Sequence, residues 1–281
     1  MGMLHNKVAL VTGASSGIGR ATAIGLAHEG ARLLLVGRTP KRCAEALAAV
    51  RAAGADDPKM FEADFSRLDA IRKLADDVRG RTSEIHVLIN NAAIVSTRRQ
   101  LTPDGYEMTF AVNHLSPFLL TGLLLPLLGN GARVVNVASE AHRWAALDLD
   151  DLQNERRYGA MRVYGQSKTA NILWTRQLAR RLDERGVTAN SLHPGTISTN
   201  LGRGNGIAFD LLQSLVGLFM KSTGKGAQSS LYLATSPDVE GVSGLYFNNC
   251  RERRPASHAI DSATAQRLWQ LSEELVGLQY L

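Results

Sequence analysis

The sequence predicts an α/β fold: one doubly wound domain, a seven-stranded parallel sheet with helices on both faces. Three observations predict it. Short apolar runs alternate with longer segments of helical period from the N-terminus onward, an order that buries strands between helices. Each crossover is long enough for a right-handed β-α-β connection. No Pro/Ser-rich linker, low-complexity tract or internal repeat interrupts the 281 residues, so residues 1–281 read as a single domain.

The elements follow in order. A wholly apolar run at 8–11 suits a strand buried on both faces, and a glycine-rich turn leads from it into a helix over 17–29. Strand 32–36 precedes helix 41–53, strand 59–62 precedes helix 68–79, and strand 87–90 precedes a long apolar helix over 102–128. Strand 133–137 leads to helix 165–185, strand 188–192 to helix 225–234, and strand 244–247 closes the sheet. Residues 140–163 and 195–223 are too long for ordinary connections, and loops of that length usually carry function.

Composition removes several classes. With 44% hydrophobic and 21% charged residues the chain is globular, not disordered or collagen-like. Cys43 and Cys250 lie far apart and form no C-x-x-C pair, so neither a disulfide framework nor a thiolate zinc cluster is expected, and a reducing, cytoplasmic setting is. The N-terminus shows no signal-peptide pattern. The most apolar run, 118–128, is short for a bilayer and broken by Gly122 and Pro126, so no membrane span is expected. The net charge of +6 comes from scattered pairs such as Arg98-Arg99 and Arg180-Arg181, mixed with acids. Without a basic stripe or aromatic stacking platform, nucleic acid is not expected as a partner, although such a surface favours an anionic cofactor or substrate.

After the first strand comes Thr12-Gly13-Ala14-Ser15-Ser16-Gly17-Ile18-Gly19-Arg20. Glycines there let the backbone turn sharply and approach a pyrophosphate, whose charge the free amides and dipole of the helix N-terminus favour. The spacing T-G-x-x-x-G-x-G resembles the signature of the short-chain dehydrogenase/reductase family. Asn90-Asn91-Ala92-Ala93 stands where that family carries N-N-A-G, with Ala93 the one departure. Asn113, Ser139, Tyr164 and Lys168 follow in the family's catalytic order, the last two as Y-x-x-x-K, and Pro194-Gly195 matches its P-G turn.

The resemblance covers about residues 8 to 250 and implies a Rossmann-type domain that binds a nicotinamide dinucleotide. Its cofactor positions fall on Gly13, Ser15, Ser16, Gly17, Ile18, Gly19, Asp64, Phe65, Asn90, Ala92, Pro194, Gly195, Thr196 and Thr199, with Tyr164 and Lys168 reaching the same cofactor. Asp64 also suits an N-cap. Charge at the end of the second strand selects the cofactor: no carboxylate stands there to hold a ribose hydroxyl, and Arg38 is a planar, permanently charged donor for a 2′-phosphate. NADP(H) is therefore favoured. If Arg38 stacks on the adenine instead, NAD(H) is the alternative.

Carbonyl reduction needs a proton donor at the oxygen and support for the developing alkoxide. Tyr164 can donate, but an unperturbed phenol titrates near about 10, so a cation is needed to tune it. Lys168, four residues on along a helix, lies on the same face. Ser139, at a strand end, would hold the substrate oxygen. Asn113, by resemblance, continues a proton relay from the lysine through water. Singly these types are ordinary packing or capping residues; together, behind a matching loop, they make a catalytic constellation. His114 and His142 show no metal spacing and read as structural or substrate-shell residues, and no metal is expected.

The stretch Glu140-Ala141-His142-Arg143-Trp144, Ser167-Lys168-Thr169-Ala170-Asn171 and Glu240-Gly241-Val242-Ser243-Gly244 are similar to the family's retinol dehydrogenase-like branch. That implies an apolar ketone, aldehyde or alcohol as substrate, and relatives of this kind form homodimers or homotetramers through helices corresponding to 102–128 and 165–185. Residues 207–220 form a mostly apolar helix candidate between glycine-rich flanks and read as a lid within 194–224, with Phe209 and Leu212 against the substrate. A fixed core helix is the alternative there. The expected function is an NADP-preferring oxidoreductase with a Ser-Tyr-Lys mechanism; the rival is a catalytically idle NAD(P)-binding sensor or scaffold, against which the intact Tyr164 and Lys168 argue.

Overall fold

The first strand, β1 (Val8–Thr12), is buried along its whole length, and its residues divide alternately between two cores. A computed structural model describes residues 2–195 and 223–280 of the chain. Val8 and Leu10 face a cluster with Ile71, Leu74, Phe118, Leu173 and Trp269, whereas Ala9 and Val11 face one with Ala23, Leu26, Val50 and Leu233. This is the period-two division that a strand covered by helices on both sides requires.

The remaining strands are β2 (Arg32–Gly37), β3 (Lys59–Glu62), β4 (Val87–Asn90), β5 (Arg133–Val137), β6 (Thr188–His193), β7 (Tyr246–Asn248) and β8 (Arg251–Glu252). Their spatial order is β3-β2-β1-β4-β5-β6-β7-β8. All pairs are parallel except β7 with β8. The seven expected strands are present, and the two-residue β8 is an addition. It forms through a tight turn in which Asn249 and Cys250 both have positive φ, 51° and 57°. Strand order reverses between β1 and β4, which places a crevice beyond their carboxyl ends.

Helices α1 (Gly17–His28), α2 (Pro40–Ala52) and α6 (Thr223–Thr235) and helices α3 (Leu68–Arg79), α4 (Met108–Leu127), α5 (Ala160–Leu182) and α7 (Ser262–Val276) complete the layers. In α3 the buried residues Ile71, Leu74, Ala75 and Val78 repeat at the spacing of one helical face. Helix α4 starts six residues later than the sequence suggests, because Thr102 and Gly105 make a hydrogen-bonded turn and the buried Glu107 carboxylate caps the amides of Thr109 and Phe110 at 3.0 and 2.7 Å. Within it Ala111–Leu115 is a π-helical turn. Pro117 lacks the N–H that Asn113's carbonyl would receive in a regular helix, which favours the wider turn.

Among the described residues α4 is one helix long and apolar enough to cross a membrane, but 78% of that stretch is buried inside the domain. Helix α7, absent from the sequence expectation, supplies part of that cover. Trp269 lies edge-on to Phe118 of α4, and Tyr280 packs its ring against both. Leu268 and Trp269 of α7 share one core with Phe118 of α4 and Leu173 of α5. The expected lid, 207–220, with Phe209 and Leu212, lies outside the described residues, as do Thr196 and Thr199.

Candidate active site

The carboxyl end of β1 is tied to that of β4 by one buried hydroxyl. Thr12 Oγ1 donates to Ile89 O at 3.3 Å and accepts the amides of Asn91 and Ala92 at 3.0 and 3.1 Å. Asn91 returns a hydrogen bond to Thr12 O at 2.9 Å. Between them the glycine loop has no spare room on its inner side: a Cβ on Gly19 would stand 2.3 Å from Gly13 O and 2.4 Å from Asn91 Nδ2. On its outer side it is open. Gly17 has φ +56° and a Cβ there would meet nothing within 4 Å. The hydroxyl of Ser16, at the N-cap of α1, makes no capping hydrogen bond, and no acid stands in the helix's first turn. This open cradle of amides at a helix N-terminus fits a dinucleotide's pyrophosphate.

The loop also leans on the end of β2. Ala14 N–H donates to Val36 O at 2.9 Å, and a Cβ on Gly37 would lie 2.8 Å from Ser15 Cβ. Arg38, the next residue, is exposed and makes no ion pair among the described residues. Asp64 accepts from Ser66 N and Oγ at 3.0 and 2.9 Å, so it caps its own turn, and Phe65 is buried in the core beneath it. The side chain of Asn90 turns inward: its Nδ2 donates to Thr121 Oγ1 and Asn136 Oδ1 at 3.0 and 2.9 Å, leaving only its main chain to face the crevice. Ala92 is held by its amide on Thr12. At the end of β6, Gly195 has φ +95°, which lets the chain turn after Pro194.

The four catalytic candidates meet where α4, α5 and β5 converge. Asn113 sits in the π-turn with its side chain fully engaged: Oδ1 accepts from Ile94 N at 2.8 Å, and Nδ2 donates to Ile94 O at 2.9 Å and Ser167 Oγ at 3.0 Å. Ser167 in turn donates to Tyr164 O at 2.7 Å, so Asn113 braces the helix turn that bears the tyrosine. Both polar atoms of its side chain are thus engaged within the protein. Ser139 follows β5 with extended backbone, and its Oγ accepts Ala141 N–H at 3.2 Å at the start of a 3₁₀ turn, Glu140–Trp144. Lys168 is 1% exposed; its Nζ donates to Val137 O at 3.0 Å and lies 5.4 Å from the centre of the Tyr164 ring.

Burial sets the electrostatics of this pair. It pushes the Tyr164 phenol up to about 12, against the opposing pull of a hydrogen bond from Ser139, and pushes Lys168 down to about 7. The phenol therefore holds its proton firmly at neutral pH, as an acid must, and the lysine stands near the point where it gains or loses charge.

Residues 7–206 match the sequence profile of the short chain dehydrogenase family. The chain belongs to that family. Human retinol dehydrogenase 14 is 42% identical over 99% of this chain and 88% of its own length. An uncharacterized protein from Mycobacterium Paratuberculosis has the same fold at TM-score 0.80 and 32% identity, covering 100% of this chain and 99% of its own. A short chain dehydrogenase from Burkholderia cenocepacia, solved in complex with NADP, matches 88% of this chain and 97% of its own at TM-score 0.68 and 28% identity.

As a short-chain dehydrogenase the chain is an NAD(P)-dependent oxidoreductase, and two of its site residues carry more structure than their sequence context signals. Asn91 joins the glycine loop to β4 through hydrogen bonds to residues almost eighty positions earlier. His142 is fully buried and bonded to Ser139 O at 2.7 Å. His114 is structural: it sits among Phe110, Phe118 and Trp174, its Nε2 is 2.8 Å from Ser272 Oγ, and burial pushes it down to about 3.

Proposed function

We propose that this short-chain dehydrogenase is an NADP-preferring oxidoreductase that interconverts an apolar aldehyde or ketone and its alcohol by a Ser-Tyr-Lys mechanism. The observation that carries the reading is the buried Lys168 ammonium beneath the Tyr164 ring with Ser139 facing the phenol. NADP(H), when bound, supplies or accepts the hydride. The chain's own part is the proton and the oxygen. Tyr164 delivers its phenolic proton to the substrate oxygen as negative charge develops there. Ser139 Oγ, whose lone pair already receives Ala141 N–H, directs its own hydrogen at the same oxygen. Lys168 spends one hydrogen on Val137 O; its others suit ribose hydroxyls, and its protonated form stabilises the phenolate left behind. Asn113, at the turn beside Tyr164, would support a water through which that proton is replaced.

Arg38 supports the NADP preference, being exposed at the lip of the glycine loop and making no ion pair among the described residues. The similarity to retinol dehydrogenase 14 supports an apolar substrate, and residues 207–220 with Phe209 and Leu212 remain the proposed contact with it. A panel of ketones, aldehydes, retinoids and steroids, read by NADPH absorbance, tests the reading. Turnover of an apolar carbonyl compound with NADPH over NADH is expected, and preference for small polar carbonyls or for NADH would overturn it.

A further inference from the structure

The 3₁₀ turn after Ser139 is anchored to the C-terminal part of the chain by Glu140, which accepts from Tyr246 Oη at 2.7 Å, by Arg143, which donates to Arg254 O at 3.0 Å, and by the one residue whose side chain also holds Ser139, His142. His142 is wholly buried. Its Nε2 lies 3.1 Å from the amide nitrogen of Ala256, a group that can only donate, so Nε2 is the unprotonated nitrogen. Its Nδ1 therefore carries the hydrogen and donates it to Ser139 O at 2.7 Å. The carbonyl of the same residue accepts from His258 Nε2 at 2.8 Å and lies 3.2 Å from Thr169 Oγ1, whose single hydrogen it shares with Ala145 O. Thr169 adjoins Lys168 on α5, and its hydroxyl also reaches Ala145 O at 2.8 Å, at the far end of the turn. Nε2 and the carbonyl of His142 thus face the 256–258 segment and α5, while its Nδ1 and backbone N–H both donate to Ser139 O. The Tyr246 ring stands edge-on to the imidazole at 5.1 Å.

We propose that His142 is a positioning residue for Ser139: its neutral imidazole holds the serine carbonyl against the 256–258 segment and α5, and so sets where the Ser139 hydroxyl stands relative to Tyr164 and Lys168. This rests on the assignment of Ser139 to the substrate oxygen. The serine's backbone is extended, φ −165° and ψ 154°, and its carbonyl opens the 3₁₀ turn by accepting His142 N–H at 3.1 Å, so the imidazole adds a second bond to the same oxygen. The grip comes from His142 twice, through its backbone N–H at 3.1 Å and its imidazole at 2.7 Å, and the imidazole is itself held by residues more than a hundred positions away in sequence.

Two amide side chains separate positioning from bulk support. His142→Asn places an N–H where Nδ1 stands and keeps the bond to Ser139 O while losing Ala256; His142→Gln reaches the Nε2 position and keeps Ala256 while losing Ser139 O. With NADPH and the best apolar carbonyl substrate of the panel, His142→Asn should keep kcat within about threefold of the parent, and His142→Gln and His142→Ala should lower it about tenfold, the scale of one lost hydrogen bond to a carbonyl that keeps its backbone partner. NADPH affinity, read by fluorescence, should hold within about twofold in all three. His258→Ala, at a half-buried side chain, is the mildest variant and should lower kcat by about twofold to fivefold. Equal kcat losses in the Asn and Gln variants, tracking their melting temperatures, would overturn the positioning role. Ser139→Ala in the same assay should lose at least as much as His142→Ala. Full turnover there would overturn the serine assignment and the positioning role with it, whereas loss there with no difference among the His142 variants would overturn the positioning role alone.

Discussion

Replacing Lys168 with methionine should make the ligand-free protein more stable while destroying its activity. The side chain is 1% exposed, has one carbonyl as its hydrogen-bond partner and is pushed from 10.5 down to about 7 by burial. A displacement of that size corresponds to about 5 kcal/mol of unfavourable burial for the charged form. Methionine removes the charge and keeps most of the length, at the cost of leaving Val137 O without its donor, about 1–3 kcal/mol. The net gain is about 2–4 kcal/mol, or about 5–12 °C in melting temperature for a domain of this size. The pH dependence has a definite sign. Below about 7 the lysine is charged in both folded and unfolded chains and the burial cost is fully present. Between about 7 and 10.5 the unfolded chain holds one more proton than the folded one, so the parent gains stability as pH rises and the gap to Lys168→Met narrows. Calorimetry of both proteins from pH 6 to pH 10, without cofactor, measures this. A variant less stable than the parent at pH 6, or a gap that does not change with pH, would refute burial as the source of the lysine's displacement.

Arg38→Asp should lower the ratio of NADPH to NADH catalytic efficiency by about tenfold to a hundredfold, since a charge-assisted phosphate contact becomes a repulsion; equal loss with both cofactors would remove Arg38 from the 2′-phosphate site. The loop glycines should separate by readout. Gly19→Ala, whose Cβ would collide with Gly13 O, should lower the melting temperature, whereas Gly17→Ala has space but needs a positive φ and points into the cradle. It should cost only about 1–2 kcal/mol of stability yet weaken NADPH at least about tenfold, and unchanged affinity would count against the cradle as the pyrophosphate site.

Elements whose signal is local could be read directly. Strands β3, β4 and β5 and helix α3 coincide with the sequence expectation, because each is a short apolar run or a clean helical stripe bounded by turn residues. Helix α7 escaped because its buried stripe, Ala265, Leu268, Trp269, Ser272 and Val276, contains a serine where the helical period calls for an apolar residue. Only the fold shows why: Ser272 faces the buried His114. Strand β8 escaped because its turn uses Cys250 at a positive-φ position that glycine or asparagine would normally mark. At the site, Tyr164, Lys168, Ser139 and Asn113 were marked by order and spacing. The burial that displaces the tyrosine and lysine, the inward turn of Asn90 and the bonds of Asn91 and His142 depend on residues far along the chain, to which local pattern is blind.

Tyr164→Phe tests the proton-donor assignment most directly, because it deletes one hydroxyl and leaves the ring above Lys168 in place. With NADPH and the best apolar carbonyl substrate, kcat should fall by about a hundredfold or more, the contribution of a positioned general acid, while NADPH affinity stays within about twofold. Turnover near the parent's, with the variant folded and saturated with NADPH, would contradict the Ser-Tyr-Lys mechanism.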